Sequence, residues 1–102
     1  MRLFAVVDIE STGSVANQDK ITEIAVIITD GEKEIDRFET LVNPQQPITP
    51  FVVRLTGITN EMVADAPLFE EVAKDLFEFL KGKVFVAHNV NFDYKFIKEA
   101  FF

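Results

Sequence analysis

The stretch "FAVVDIESTG", residues 4–13, starts as a buried strand, acquires two carboxylates, Asp8 and Glu10, and breaks at Ser11-Thr12-Gly13. Charged groups at the end of an apolar strand cost free energy unless they are solvated, paired or bound to metal. Residues two apart on a strand point to the same side, so Asp8 and Glu10 share a face, with Cα atoms roughly 6.6 Å apart. Two carboxylates at that spacing can converge on one or two divalent cations, and Mg²⁺ and Mn²⁺ prefer such oxygen ligands. Taken alone, the pair is a weak signal, and solvated loop acids are the plainer reading. Gly13 permits a tight departure from the strand, where exposed backbone N–H groups would approach a substrate; an ordinary turn explains the tripeptide as well.

Outward from this stretch, residues 2–9 are nearly all apolar, the pattern of a strand covered on both faces. Residues 21–29, "ITEIAVIIT", form a second apolar run, Asp30-Gly31 is a hairpin signal, and "KEIDRFETLV" resumes with Ile35, Phe38 and Leu41. This predicts a three-stranded antiparallel meander. "NPQQPITP" is a loop, after which Thr49 as N-cap and Pro50 open a short helix through Leu55 that Gly57 stops. Thr59 caps another short helix over 60–65. Pro67 begins a longer one with Phe69, Val72, Ala73, Leu76, Phe77 and Leu80 on one stripe, ended by Lys81 and Gly82. "VFVAH", 84–88, is a short strand that a helical crossover places parallel to an earlier one. A final helix follows, with Asn91 as its expected N-cap. The layout is β-β-β-α-β-α, an α/β sheet with helices packed on it.

A chain of 102 residues with 48% apolar residues and 11 Phe makes one small domain with ample core material. No run approaches 18 apolar residues, no secretory leader precedes the first strand, and no membrane partner is expected. Without cysteine, disulfides and thiolate metal sites are excluded, and a reducing cytoplasm is the default location. The net charge of −7 argues against a broad nucleic-acid face. A local basic rim from Arg54, Lys95 and Lys98 remains open, and cations would neutralise the clustered acids. Glu32, Glu34, Asp36, Glu70, Glu71 and Asp75 read as a solvated surface.

In the final helix Asp93, Phe96, Ile97, Ala100 and Phe101 form one stripe, so a carboxylate heads the face that turns to the sheet. The helix dipole explains an Asp in the first turn but not its place on the apolar face. If the strand before it runs parallel to the first, Asp93 arrives near the sheet edge that bears Asp8 and Glu10. Three carboxylates from two segments then make a candidate metal site.

"DIESTG" (8–13) and "HNVNFD" (88–93) resemble the first two motifs of the DEDD, or DnaQ-like, 3′–5′ exonucleases, and "LTGIT" (55–59) resembles the segment between them. The resemblance runs in order across essentially the whole chain. It implies an RNase H-like fold and metal-dependent hydrolysis of 3′-terminal phosphodiesters with two Mg²⁺ or Mn²⁺ ions. By position it makes Asp8, Glu10 and Asp93 catalytic metal ligands. It places Ser11, Thr12, Gly13, Thr56, Gly57, Ile58, His88, Asn89 and Phe92 at the terminal nucleotide. "VFVAHNVNFDYKFI" looks most similar to the DNA polymerase III epsilon-type proofreading exonucleases, which implies single-stranded or frayed DNA 3′ ends as substrate and a polymerase subunit as partner. RNA-processing relatives such as RNase T and oligoribonuclease share the motifs and stay open.

The family pattern also needs a third motif: a fourth Asp preceded by a His five residues earlier or a Tyr four residues earlier. Neither stands in these residues; His88 belongs to the second motif and Tyr94 follows Asp93. The expectation is therefore an exonuclease domain incomplete at its C-terminus and inactive by itself, able to self-associate through the uncovered face. The alternative is a non-catalytic module that binds nucleic acid or a polymerase.

Overall fold

The computed structural model describes residues 2–87 and 90–101, the side chains of residues 90–92 excepted. Eight elements follow in order: β1 (Phe4–Ser11), β2 (Ile21–Thr29), β3 (Glu34–Leu41), α1 (Pro50–Thr56), α2 (Asn60–Ala64), α3 (Phe69–Leu80), β4 (Val84–Ala87) and α4 (Val90–Phe101). The sheet order is β3-β2-β1-β4. β1–β2 and β2–β3 are antiparallel, and β4 pairs parallel with β1, Val6 opposite Val86 and Val7 opposite Ala87. The expected meander and the parallel fourth strand are both present.

β1 is not covered on both faces. Ala5, Val7 and Ile9 are buried, with Ile24, Val26 and Ile28 of β2, in a core completed by Leu76 of α3 and by Phe96 and Ile97 of α4. Both long helices lie on that one side. On the other side Val6 stays 38% exposed, and its neighbours Val84 and Val86 each 37%. The near-continuous apolar run had suggested two covered faces; α3 and α4 cover one, and the run's even-numbered residues face outward.

A second cluster joins Ile48, Ile58 and Val63, with Leu41, Val52, Val53 and Ala66 packed around them. It is made by α1 and α2, whose ends follow the sequence closely. Thr49 Oγ1 accepts from Val52 N–H at 3.3 Å, and Gly57 closes α1 at φ 79°, a left-handed conformation that costs glycine little. The Asn60 side chain clasps Ile48 from both sides, accepting from its N–H at 2.8 Å and donating to its carbonyl at 3.1 Å.

Some boundaries shift. The long helix starts at Phe69 rather than Pro67, because the Glu71 carboxylate accepts from Leu68 N–H at 2.8 Å and sets the first turn there. Helix α2 ends at Ala64 with Asp65 as its cap, and α4 begins at Val90, so Asn91 lies inside its first turn and is not the N-cap. Phe77 sits at the margin of the α3 stripe, 53% exposed, edge-on to Phe101 with ring centroids 6.4 Å apart. β4 ends at Ala87; His88 lies outside the described residues.

One irregularity stands beside Glu10. Glu10 pairs with Glu23 and Ser11 with Ile21, so Thr22 is the extra residue of a β-bulge. Its carbonyl accepts from Val42 N–H at 2.8 Å, but its hydroxyl is buried with no partner among the described residues. A buried hydroxyl without a hydrogen bond costs about 1–3 kcal/mol. Thr22→Val keeps the shape and removes the orphan. It should raise unfolding stability by about 1 kcal/mol, read as a higher urea midpoint at unchanged slope.

Candidate active site

Strand register sets the first two acids side by side. Asp8 faces Ala25 and Glu10 faces Glu23 across β2, and Glu23 in turn faces Leu41 of β3. All five belong to the open side of the sheet. Asp8 is exposed and Glu10 half-buried. The third acid comes from another segment: Asp93, in the first turn of α4, is buried at 6% exposure, one turn ahead of the core residues Phe96 and Ile97. The stripe expected for this helix is the one it buries.

The three acids interact. Glu10 has its pKa raised above the ordinary carboxylate value, first by burial, then by the charges of Asp8, Glu23 and Asp93. Glu23 is a fourth acid that the sequence analysis did not single out. The regular register of β1 and β2 puts Glu23 opposite Glu10, and the bulge follows one residue later, where Ser11 pairs with Ile21 instead of Thr22. Among the described residues no three carboxylates close around a single point. The donor chemistry nevertheless fits a hard divalent cation: oxygen donors only, with mutual repulsion that a cation would relieve.

The loop after β1 is tied down from inside. Ser11 and Thr12 are both buried, and the Ser11 hydroxyl donates to the Gly13 carbonyl. Thr12 N–H donates to the Lys20 carbonyl at 2.9 Å, and Lys20 N–H returns to Thr12 Oγ1 at 3.0 Å. Gly13 carries no left-handed backbone; it is glycine because a Cβ would stand 2.4 Å from Asp19 Oδ2 and 2.6 Å from its Cγ. That carboxylate is held in place by Val15 N–H at 2.9 Å. Neither hydroxyl of the Ser-Thr-Gly turn faces outward, whereas no protein acceptor among the described residues takes Gly13 or Ser14 N–H.

The "LTGIT" segment lies along the same edge, because Leu41, at the end of the Glu10–Glu23–Leu41 row, packs in the α1–α2 cluster. Within it the Thr56 hydroxyl donates to Val52 carbonyl at 3.0 Å and accepts from Ile58 N–H at 3.1 Å, and the Ile58 side chain is core. Gly57 is exposed. The outward stripe of α1 is Phe51, Arg54 and Leu55, with Phe51 66% and Leu55 73% exposed. Phe51 was not read as a candidate; an apolar pair four apart, flanking an arginine on so short a helix, is the pattern that could have marked it. His88 and Asn89 lie outside the described residues, as does the side chain of Phe92. A cavity of about 440 Å³ between the 43–46 loop, the start of α3 and the end of α4 includes none of the acids.

Glu10 gives a pH test. Its pKa is higher in the folded chain than in the unfolded one, so the folded chain holds this proton more tightly. The stability the proton confers is full below the unfolded value and is lost as pH rises through the folded value. In EDTA, Glu10→Gln should therefore raise the melting temperature at pH 7, with the gain disappearing below about pH 4. An equal gain at both pH values would contradict the repulsion.

Comparison with known proteins gives one consistent result. The family model described as an exonuclease (RNase_T) matches residues 5–102. A DNA polymerase III PolC-type protein of Caldanaerobacter subterraneus subsp. tengcongensis is 54% identical over 95 residues, 93% of this chain and 7% of that protein. The 3′-5′ exonuclease DinG of Bacillus subtilis is 42% identical over 96 residues, 93% of this chain and 10% of that protein. The chain thus spans about a tenth of the length of these curated relatives. Among solved structures, E. coli exonuclease I in complex with a dT13 oligonucleotide superposes with a TM-score of 0.88 over 99% of this chain and 24% of the other, at 22% identity. The fold is accordingly the α/β, RNase H-like arrangement expected from the motifs.

Proposed function

We propose that this chain, which belongs to the exonuclease family, is the N-terminal part of a 3′–5′ exonuclease domain whose Asp8, Glu10 and Asp93 hold divalent metal at the 3′ end of a DNA strand. The observation that carries the reading is electrostatic: Glu10 of β1, its pKa raised first by burial, is repelled by Asp8, by Glu23 and by Asp93 from α4, more than eighty residues on. Such a grouping is costly unless a cation joins it. Mg²⁺ or Mn²⁺, two ions in the complete domain, would supply an activated water and charge stabilisation for the leaving 3′-oxygen.

The chain's own groups would do the rest. The Gly13 and Ser14 N–H groups are donors for nucleotide oxygens. Gly57 lets the backbone come close at the α1–α2 junction. Phe51 and Leu55 offer apolar surface for a base, with Arg54 between them for a phosphate. His88, Asn89 and Phe92 complete the nucleotide contacts in this proposal. DNA is favoured over RNA because the relatives named above include a DNA polymerase III PolC-type protein, and exonuclease I was crystallised with dT13. That polymerase relative also supports a replicative, proofreading setting of the epsilon kind, with a polymerase as partner. The fourth acid and the general base would come from outside these 102 residues, so the isolated chain would bind but not cleave.

Manganese provides the test. At about one hundred times its Kd, Mn²⁺ should add roughly 2.7 kcal/mol of stability, a melting rise on the order of 10 °C for a domain of this size. Asp8→Ala and Asp93→Ala should each abolish most of the rise, and EDTA all of it. No shift at saturating Mn²⁺ would sink the metal site. The full-length protein should release nucleotides from the 3′ end of single-stranded DNA and lose this with Asp8→Ala.

A further inference from the structure

We propose that Gln46 is a positioning residue that sets the Gly13 and Ser14 backbone donors for the terminal nucleotide; this rests on the nucleotide-binding reading above. Three arguments support it, beginning with the proton count. The Thr12 hydroxyl has one proton and two nearby acceptors, Asp19 Oδ1 at 3.4 Å and the much closer Gln46 Oε1. The proton therefore goes to Gln46, and the oxygen accepts from Lys20 N–H.

The orientation of the Gln46 amide is fixed independently. Its Nε2 lies 3.2 Å from the Gln18 carbonyl, which can only accept, so the amine must face Gln18 and the oxygen must face Thr12. One side chain thus cross-links both arms of the loop that carries Gly13 and Ser14. Inside that loop Gln18 and Asp19 N–H groups donate to the Val15 carbonyl at 3.0 and 2.7 Å, which fixes the tip as well. Among the described residues the N–H groups of Gly13, Ser14, Ala16 and Asn17 have no acceptor, and those of Gly13 and Ser14 are the two that adjoin Thr12.

The third argument is how Gln46 is delivered. Gln45 adopts φ 56°, a left-handed conformation unfavourable for a residue with a Cβ. It is held by Asn43, whose Oδ1 accepts from Gln45 N–H at 2.9 Å. Asn43 is itself anchored beyond α2, by N–H to Pro67 carbonyl at 2.8 Å and Nδ2 to Ala64 carbonyl at 3.3 Å. The strained backbone is what turns Gln46 back across the loop. The α1–α2 cluster and the turn after β1 are joined through the Gln46 side chain.

The probe is thymidine 5′-monophosphate, titrated into the 102-residue chain at saturating Mg²⁺, a diamagnetic ion, and followed by the amide shifts of Gly13 and Ser14. Gln46→Ala should weaken the monophosphate at least tenfold, leaving Mn²⁺ affinity within twofold and the melting temperature within a few degrees. In a Thr12→Val background the same substitution should cost less than threefold, because its main partner is already gone. Unchanged monophosphate affinity in Gln46→Ala would overturn the positioning role and leave the proposed function standing. A parallel fall in Mn²⁺ affinity and melting temperature would reduce Gln46 to a structural residue and overturn it too. Failure of the unmodified chain to bind the monophosphate at all would remove the nucleotide reading itself.

Discussion

The parallel pairing of β4 with β1 is the constraint on which the rest depends. Two strands that run the same way finish at the same edge, and here Val7, next to Asp8, stands opposite Ala87, six residues before Asp93. The helix that follows β4 has to start at that edge, and the apolar stripe of α4 decides which of its residues turn inward. Asp93 heads that stripe, so burying Phe96 and Ile97 carries a carboxylate in with them. An antiparallel β4 would have sent α4 off the far edge, with Asp93 at the wrong end of the sheet.

The second constraint is one-sided covering. Because α3 and α4 occupy a single face, odd-numbered residues of β1 build the core and even-numbered ones stay reachable. The strand can therefore carry Val6, Asp8 and Glu10 in line without sacrificing packing. The β1–β2 register then sets Glu23 opposite Glu10, which concentrates negative charge at one point of a chain already at −7. This adds repulsion without any compensating basic residue in the row, and a divalent cation is the group of the right size and charge to offset it.

Much of this was legible in the residues. The meander, the crossover and the inward stripe of α4 follow from periodicities that depend on local geometry. The pairing of Asp8 with Glu10 needs only the two-residue repeat of a strand. Other features were not legible, for identifiable reasons. How many faces of β1 are covered depends on where two helices dock, and an apolar run is compatible with either answer. The Glu23 contact depends on the register between β1 and β2, which the loop over 12–20 does not dictate. Gln46 reaches Thr12 across 34 residues of chain, a contact set by a left-handed glutamine that no propensity favours. Gly13 looked like a turn glycine and proves to be one that makes room for Asp19.

The sheet order also has a kinetic side. β1, β2 and β3 are joined by short links, so their hairpins close early and at little entropic cost. β4 must find β1 from the opposite end of the chain, Val84 meeting Phe4, which places this pairing among the last events. Asp8 and Glu10 are thus fixed in register while Asp93 is still on an undocked segment. In the proposed function, affinity for a cation would then be a property the chain acquires only at its final step, when the docking of β4 brings Asp93 to Asp8 and Glu10.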